Sequence, residues 1–583
     1  MSDPDVVELA KRRGFFFQAN EAYGGVAGFY TFGPRGAALK RNVEDAWRRQ
    51  FVVREGHHEI ESPTVVPEAV FEASGHLDTF DDMLVECPEC GESHRADHLV
   101  EDASDVEDAE SLPAADVEEL LATCGVDCPT CRTTLADEPV TGFNLMFETS
   151  IGPGSSRAGY LRPETAQGIL VEFPRLKEYA RNQLPFGVAQ IGNGYRNEIS
   201  PRQSLLRVRE FTLAELQQFT APDGDGPDLE PVADETVRLY PADAQERDEE
   251  CVELTVREAL REDVVANEWL AYYLGRARQW FEGVGVDPER LRFRQHLPGE
   301  LAHYASACWD AEARLHGDWV EIAGFAFRAD HDLSKHDAHS DERFTLFQGY
   351  DEPKVVERPT VDPDMSYLGP EFGDVATDVA DALEALVERD PAAFRSEDVT
   401  VEIDGETYAV PVEKTGFSVD EVTETGEHVT PHVVEPSIGI DRVVYGVLVH
   451  SLRRDEVGGD GRTRLALPTA VAPTVAGVFP LTGGQADRAR ELADRLTRRG
   501  IPATYDDSGS IGRRYRRQDE IGTPFCVTLD ERTSNDERAT VRERDSTAQV
   551  RVPVDDVPET LASLRAGETT FEAVSREYDD DRR

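Results

Sequence analysis

The sequence predicts an α+β chain of several domains, and three observations carry that expectation. Residues 188–219 read as two strands joined by a polar loop. Two Cys-x-x-Cys pairs, Cys87/Cys90 and Cys128/Cys131, mark a small module earlier in the chain. A breaker-rich run, Glu456 to Gly461, precedes a stretch of alternating strands and helices. At 583 residues the chain exceeds the roughly 100 to 200 residues usual for one domain, so a sizeable core is within reach.

Composition narrows the class. Asp plus Glu number 115 against 61 Lys plus Arg, a net charge of -54. The cations are nearly all arginine, with lysine only at Lys11, Lys40, Lys177, Lys335, Lys354 and Lys414. Such acidity ordinarily disfavours nucleic-acid partners. Spread over a whole surface it is similar to salt adaptation, in cells whose molar salt cuts screening lengths to ~3 Å. A disordered acidic chain is excluded, because 39% of residues are hydrophobic. No leader-like run and no stretch near the ~20 apolar residues of a membrane span occurs, so a cytoplasmic chain with reduced cysteines and no membrane partner is expected.

In the strand pair, alternation sets Arg196 and Glu198 on one face of the first strand. It sets Arg207, Arg209, Phe211 and Glu215 on one face of the second. Guanidinium, carboxylate and an aromatic ring on one surface are costly to bury without a ligand. A nucleoside triphosphate satisfies all of them, since arginine forks suit phosphate and a phenyl face suits adenine. For a lone Arg-x-Glu a salt-bridged, solvated sheet face would be the better reading; the second strand and the later motifs reverse that preference.

Arg196-Asn197-Glu198, the loop, and Arg207-Val208-Arg209-Glu210-Phe211 resemble motif 2 of class II aminoacyl-tRNA synthetases, and within them the glycyl-tRNA synthetase family. The resemblance covers nearly the whole chain. It implies an antiparallel-sheet catalytic core over 1–465, with a zinc-binding module (about 84–135) and helical insertions (about 220–300 and 353–430). An α/β anticodon-binding domain over 466–565 and an acidic tail over 566–583 follow. It also implies ATP contacts from Arg196, Asn197, Glu198, Leu206, Arg207, Val208, Arg209, Glu210 and Phe211.

Taken in order, residues 4–13 look helical. The glycine-dense run from Gly14 to Gly36 marks tight turns rather than a phosphate cradle, because no Gly-Lys-Ser/Thr follows. Residues 36–55 carry Leu39, Val43, Trp47 and Phe51 at helical spacing. Glu59 to Pro67 reads as a strand ending at prolines, suited to an edge or an interface. With the preceding helix it resembles class II motif 1 (about 40–68), which implies a homodimer.

The four cysteines are the ligand set of a tetrahedral zinc site, against a redox pair or plain buried cysteines. Cys124, His94 and His98 are reserve ligands, and the loop between the pairs turns acidic from Glu101 to Glu110. His94 to Leu99 resembles a family signature, which assigns Arg95 to the amino-acid substrate. Next, Tyr160 to Gly168 passes from strand to helix with Thr165 as a cap. Glu164 there is either a carboxylate for a substrate ammonium, with Glu215, or a solvated corner acid; in the family both matching positions bind glycine.

From Asp223 to Pro227 the breakers open a flexible insertion. Helical patterns return over about 254–284, and Arg292 to His303 leads back to the core, so the insertion is expected to be peripheral and helical. Glu321 and Ile322 match ATP-site positions of the family. His331, His336 and His339 read as ordinary loop or tRNA-proximal residues rather than a metal site, since no spacing places them on one face with an acid. A second insertion carries a helix near 372–389 and a hairpin about Asp404-Gly405.

Pro431 to Leu448 is a strand running into an apolar helix opened by Arg442, and it resembles motif 3 (431–450). The resemblance brings Gly439 and Arg442 to ATP, and Glu435, Pro436, Ser437 and Gly439, with Phe211, to glycine. Beyond the Gly458-Gly459 linker, Arg513, Arg514, Arg516 and Arg517 form a basic cluster expected to meet tRNA, against a solvated helix face.

The implied activity is glycine activation by ATP, with Arg196, Glu198 and Arg442 as catalytic residues, and transfer to tRNA(Gly). Mg²⁺ accompanies ATP, with Glu321 or Glu435 as its holder, and zinc is structural. The competitors are another synthetase of the same subgroup and a non-catalytic nucleic-acid-binding relative. The present Arg196, Arg209 and Arg442 argue against the latter.

Overall fold

The computed structural model describes residues 3–580 except 105, 107, 108, 110, 111, 155, 156, 202, 203, 302, 303 and 404. Glu110, His303 and Asp404, named above, lie outside the described residues. The chain divides into two compact units, one made of Met1–Phe344 with Thr430–Arg583, the other of Thr345–Val429.

The larger unit is built on a nine-stranded sheet. Its strands are β1 (His58–Glu59), β2 (Phe186–Tyr195), β3 (Glu210–Thr220), β4 (Thr236–Tyr240), β5 (Val252–Thr255), β6 (Leu291–Gln295), β7 (Ala307–Leu315), β8 (Asp318–Ala329) and β9 (His432–Gly439). They lie in the order β5-β4-β6-β7-β8-β9-β3-β2-β1. All neighbours are antiparallel except β1 with β2 and β4 with β6. The antiparallel core implied by the sequence is therefore present.

Three helices close the back of this sheet: α1 (Pro34–Trp47), α2 (Glu268–Val284) and α3 (Ile440–Ser451). α1 buries Leu39, Val43 and Trp47, one residue per turn, and Trp47 stacks on Phe51 at 5.4 Å between centroids. α3 is buried almost all round, which fits its near-continuous apolar sequence. α2 is capped by Asn267, whose side chain accepts from the Leu270 amide, and ends at Gly285 in the left-handed region.

Several expectations are corrected. Residues 220–300 are not a peripheral helical insertion: β4, β5 and β6 extend the main sheet, and α2 buries Tyr273, Leu274 and Phe281 in the main core. The single helical run over 254–284 is two helices, Val256–Arg261 behind a Thr255/Glu258 capping box and then α2. The strand expected over 59–67 is split around Ser62-Pro63 into β1 and Val65–Pro67, which join different sheets. The Gly458-Gly459 run is no flexible linker. Both glycines have positive φ and turn a tight hairpin between Leu452–Val457 and Asp460–Leu465.

The last part of this unit carries a five-stranded sheet of β10 (Ala476–Pro480), β11 (Ala503–Tyr505), β12 (Phe525–Leu529), β13 (Arg538–Glu543) and β14 (Gln549–Pro553). Its order is β11-β10-β12-β13-β14, with β10 parallel to both neighbours and the rest antiparallel. Helices α4 (Ala486–Arg498), α5 (Ile511–Glu520) and α6 (Val557–Ala566) accompany it. The acidic tail after Glu572, expected to be frayed, belongs to helix α7 (Phe571–Asp580). Val574 and Tyr578, one turn apart, are buried in the same core.

The smaller unit has a long ribbon, Leu346–Thr360 against Ser418–Val429, which the sequence reading missed. It also holds helices Met365–Phe372 and Ala376–Arg389 and a hairpin pairing Asp398–Ile403 with Glu406–Pro411. Leu368, Val379, Leu383, Phe394 and Val410 form its own core.

Val574→Asp should lower the unfolding temperature of the 476–580 region in calorimetry, at a cost on the order of 3 kcal/mol, because it buries a charge against apolar neighbours. An unchanged transition would mean that α7 is frayed after all.

Candidate active site

Strand register assembles the site. Glu215 on β3 lies opposite Ser437 on β9, Ser437 opposite Gly324 on β8, and Gly324 opposite Asp310 on β7. Directly opposed residues share a face, so one row of the sheet carries these groups together. Arg442, at the third position of α3, reaches the same face. It donates to the Glu321 carboxylate at 2.9 Å, the Glu321 carbonyl at 3.0 Å and the Leu206 carbonyl at 3.0 Å.

Arg196 follows the end of β2 and lies between two rings, 5.3 Å from the Phe80 centroid and 5.5 Å from that of Phe211. Arg196 and Arg442 line one cleft with Glu198, Phe211, Glu321 and Gly439. Leu206, Arg207, Val208, Ile322 and Ser437 also line it.

The face assignment of the second strand needs correction. β3 begins only at Glu210, so Arg207 and Arg209 sit in the incoming loop rather than beside Phe211 and Glu215. An Arg207–Glu198 ion pair and bonds from Arg209 to backbone carbonyls hold this loop. Arg207 Nε donates to the Glu198 carboxylate at 2.6 Å, and Arg209 donates to the Glu198 carbonyl at 2.7 Å and the Ala27 carbonyl at 2.9 Å.

Asn197, Arg209 and Glu210 are not part of the cleft lining. The Asn197 amide donates to Leu145 O, and Glu210 accepts from Asn193. Sequence reasoning missed Asp441 and Thr212 in the lining, and Lys40 behind them. Lys40 Nζ lies 2.6 Å from the Thr212 hydroxyl and 2.9 Å from Asp441. The available signal was the rarity of lysine in this chain.

Ser437 links the cleft to an acid cluster of Glu215, Glu164 and Glu435, none of which is itself in the lining. Glu215 accepts the Thr165 amide at 2.7 Å, the Thr165 hydroxyl, and the Ser437 hydroxyl at 2.7 Å. Thr165 is thus no side-chain cap; its hydroxyl serves Glu215 instead. Glu164 faces His76 Nε2 at 3.5 Å. Burial raises its pKa, but His76, Arg328 and Arg196 together outweigh burial and hold it at about 2. Burial first, and then the Glu164 charge, push Glu215 up.

Burial also pushes Glu435 up to about 7, against the pull of Arg328. Both Glu435 oxygens are used, by Gln217 at 2.6 Å and Arg328 at 2.7 Å, so it is not open to a magnesium ion as expected. Arg328 is 1% exposed, forks onto Asp332 at 2.7 and 2.9 Å, and lies 3.8 Å from the Tyr304 ring centroid. Pro436 lies opposite Phe325 in the ladder. Arg95 is buried between Asp82, at 2.8 Å, and Asp97, at 3.0 Å, on the wider opening of the cleft.

The four cysteines converge in a separate module. Each pair forms a knuckle in which the fourth residue on, Gly91 or Arg132, donates back to the first cysteine's carbonyl at 2.9 Å. Both of those residues take positive φ. Cys87 and Cys131 sulfurs are 3.5 Å apart, and Cys90 and Cys128 sulfurs 3.7 Å. The edge of a tetrahedron with ~2.3 Å zinc–sulfur bonds is ~3.8 Å, so the donor set fits zinc. Of the reserve ligands, His94 Nε2 lies 3.3 Å from Cys128 Sγ, while Cys124 ends its helix exposed.

The chain is 46% identical over 572 residues to the glycine–tRNA ligase of Methanothrix thermoacetophila, covering 97% of each chain. It is 45% identical to that of Archaeoglobus fulgidus, covering 98% of this chain and 99% of the relative. It belongs to the glycine–tRNA ligase family. The family described as an anticodon binding domain matches residues 475–564. Among solved structures, Giardia lamblia prolyl-tRNA synthetase in complex with prolyl-adenylate superposes with a TM-score of 0.51 at 13% identity, over 97% of this chain and 79% of that one. That likeness establishes the class II synthetase fold.

The basic cluster in this glycine–tRNA ligase family chain sits on α5, and most of it is turned to the protein itself. Arg514 is buried and donates to the carbonyls of Pro480 at 2.5 Å, Asp507 at 2.8 Å and Gly509 at 3.0 Å. Arg517 holds Asp506 and Ser508, and Arg516 donates to the Gly461 carbonyl. Arg513 is exposed. The expectation that Arg514 meets tRNA is therefore corrected: a guanidinium that satisfies one carbonyl at the end of β10 and two in the turn before α5 is a structural brace.

Arg514→Ala should destabilise the 476–580 region by on the order of 3 kcal/mol, because it strands buried carbonyls. Arg513→Ala should stay within about 0.5 kcal/mol of the parent. Thermal unfolding of the two variants side by side checks both.

Proposed function

We propose that this cleft activates glycine with ATP and that the chain then charges tRNA(Gly). The glycine carboxylate attacks the α-phosphorus of ATP, forming glycyl-adenylate and releasing pyrophosphate. The terminal ribose hydroxyl of the tRNA then attacks the acyl carbon, and AMP leaves. Family membership over nearly the whole chain supports the reaction. The observation that carries the site assignment is the convergence of Arg196, Arg442 and the Glu164/Glu215/Ser437 cluster on one sheet face.

In this reading Arg196 holds the α-phosphate, where charge develops in the transition state, and Arg442 serves the far phosphates and the adenine. Phe211 offers its ring to adenine, and Glu198 its edge contacts. The anionic Glu164 and the Ser437-bonded Glu215 hold the substrate ammonium. Selectivity works by exclusion, since a pocket for glycine gains nothing from an absent side chain and must clash with larger ones. Mg²⁺ enters with ATP as part of the substrate. Glu321, beside Arg442, is the acid open to it.

The same reading makes the four-cysteine cluster a structural zinc site, the chain a homodimer through the 40–68 region, and its location the cytoplasm. No helix of the described residues is long and apolar enough to cross a membrane. The net charge of -54 supports salt adaptation of the surface. Residues 1–465 are proposed as the catalytic domain and 466–580 as the anticodon-binding domain, which takes in α7, with Arg513 as its tRNA contact.

Exchange of labelled pyrophosphate into ATP should depend on glycine, and not on alanine, serine or proline. Arg196→Ala should lower its kcat about 10²–10³-fold, as removal of one transition-state donor does, without changing the melting temperature. Glycine-independent exchange, or an undiminished variant, would overturn the assignment. Metal analysis should find that Cys128→Ser carries one zinc fewer per chain than the parent protein; equal contents would remove the four-cysteine site.

A further inference from the structure

His296, Cys308 and Asp310 form a second cluster with metal-ligand character: the imidazole, thiol and carboxylate ligand atoms all lie within 4.8 Å of one another. His296 follows β6, and Cys308 and Asp310 are alternate residues of β7, so both point to the same face. The ladder ties the three together, since the His296 amide donates to the Cys308 carbonyl at 3.0 Å. All three are partly buried, and none belongs to the cleft lining described above.

The ring orientation of His296 makes the case for a cation. Its Nδ1 faces the Glu300 carbonyl at 3.4 Å, which accepts an N–H. The other ring nitrogen, Nε2, points at Asp310 Oδ2, 2.8 Å away. At that separation the two atoms share either the ring proton or a metal ion. Backbone-anchored imidazole with its other nitrogen free for a metal is the usual arrangement of histidine ligands. A proton needs only the ring and the carboxylate. The thiol of Cys308 lies at the same point, and a soft sulfur beside nitrogen and oxygen is a zinc donor set.

We propose that His296, Cys308 and Asp310 form a second zinc site of this chain, with three protein ligands and one open position. The site lies on the sheet face of the cleft. Asp310 is opposite Gly324, and Gly324 is opposite Ser437, so at ~4.8 Å per strand the site is about 10 Å from Ser437. Gly324 places no side chain in the row between them, and a Cβ there would lie 3.5 Å from Asp310 Oδ1. The open position therefore has a bare path toward Ser437. This inference does not depend on the reaction assigned to the cleft.

The test strips the full-length protein with a chelator, titrates it with zinc alone, and counts tightly bound equivalents per chain by elemental analysis after dialysis. Cys308→Ser and His296→Gln should each bind one equivalent fewer than the parent. Cys128→Ser, which alters only the four-cysteine module, should retain the equivalent that those two lose. Circular dichroism and melting temperature identify which variants are folded. A parent, a Cys308→Ser and a His296→Gln protein that bind the same number of zinc ions would overturn the proposal and leave a protonated imidazole–carboxylate pair.

Discussion

The pairing of β3 with β9 is the constraint on which the rest of the cleft depends. Side chains alternate between faces along a strand, so a one-residue slip between the two would put Glu215 and Ser437 on opposite faces of the sheet. The observed register instead sets them across from one another, 2.7 Å apart. The loop before β3 and the helix after β9 then deliver Arg207, Arg196 and Arg442 to a common edge. The buried helix α3 holds that register from behind, and Lys40 ties α1 to both strands' ends through Thr212 and Asp441.

Burying several carboxylates beside one another is unfavourable unless positive charge and hydrogen bonds offset it. Arg328 on β8 supplies much of that offset, gripping Glu435 and Asp332 at once. Gln167 extends the grip, donating to Asp332 and bonding to His336. His336, expected in a loop, lies with Asp332 on the helix His331–His339, and both act as supports for the acid cluster. The site is preorganised by groups that never reach the cleft.

What was legible in the sequence was local. The Cys-x-x-Cys knuckles, the strand running into the helix at Arg442, and the strand–helix alternation after residue 475 each depend on neighbours a few residues apart. What was not legible depended on distant partners. Thr165 looks like a cap until Glu215, 50 residues on, claims its hydroxyl. Arg514 looks like part of a basic surface until its turn closes over it. The strands at 236–240, 252–255 and 291–295 were hidden because each is only four or five residues long and buries at most two apolar side chains. Val574 and Tyr578 are spaced for a helix, but the surrounding acids suggested solvent.

The glycine turn at 458–459 changes what kind of connection joins the sheet-and-cleft region to the five-stranded region. A flexible tether would let the second body wander, with its reach set by the statistics of the chain. Here the connection is a paired ribbon, and Arg462 at its edge donates to the Arg544 carbonyl at 2.7 Å while gripping Asp455 at 2.7 Å. Such a strut resists bending and transmits torque. Any ligand that spans both regions meets a calliper of set gauge, so that its own length, more than its stickiness, decides whether both ends engage.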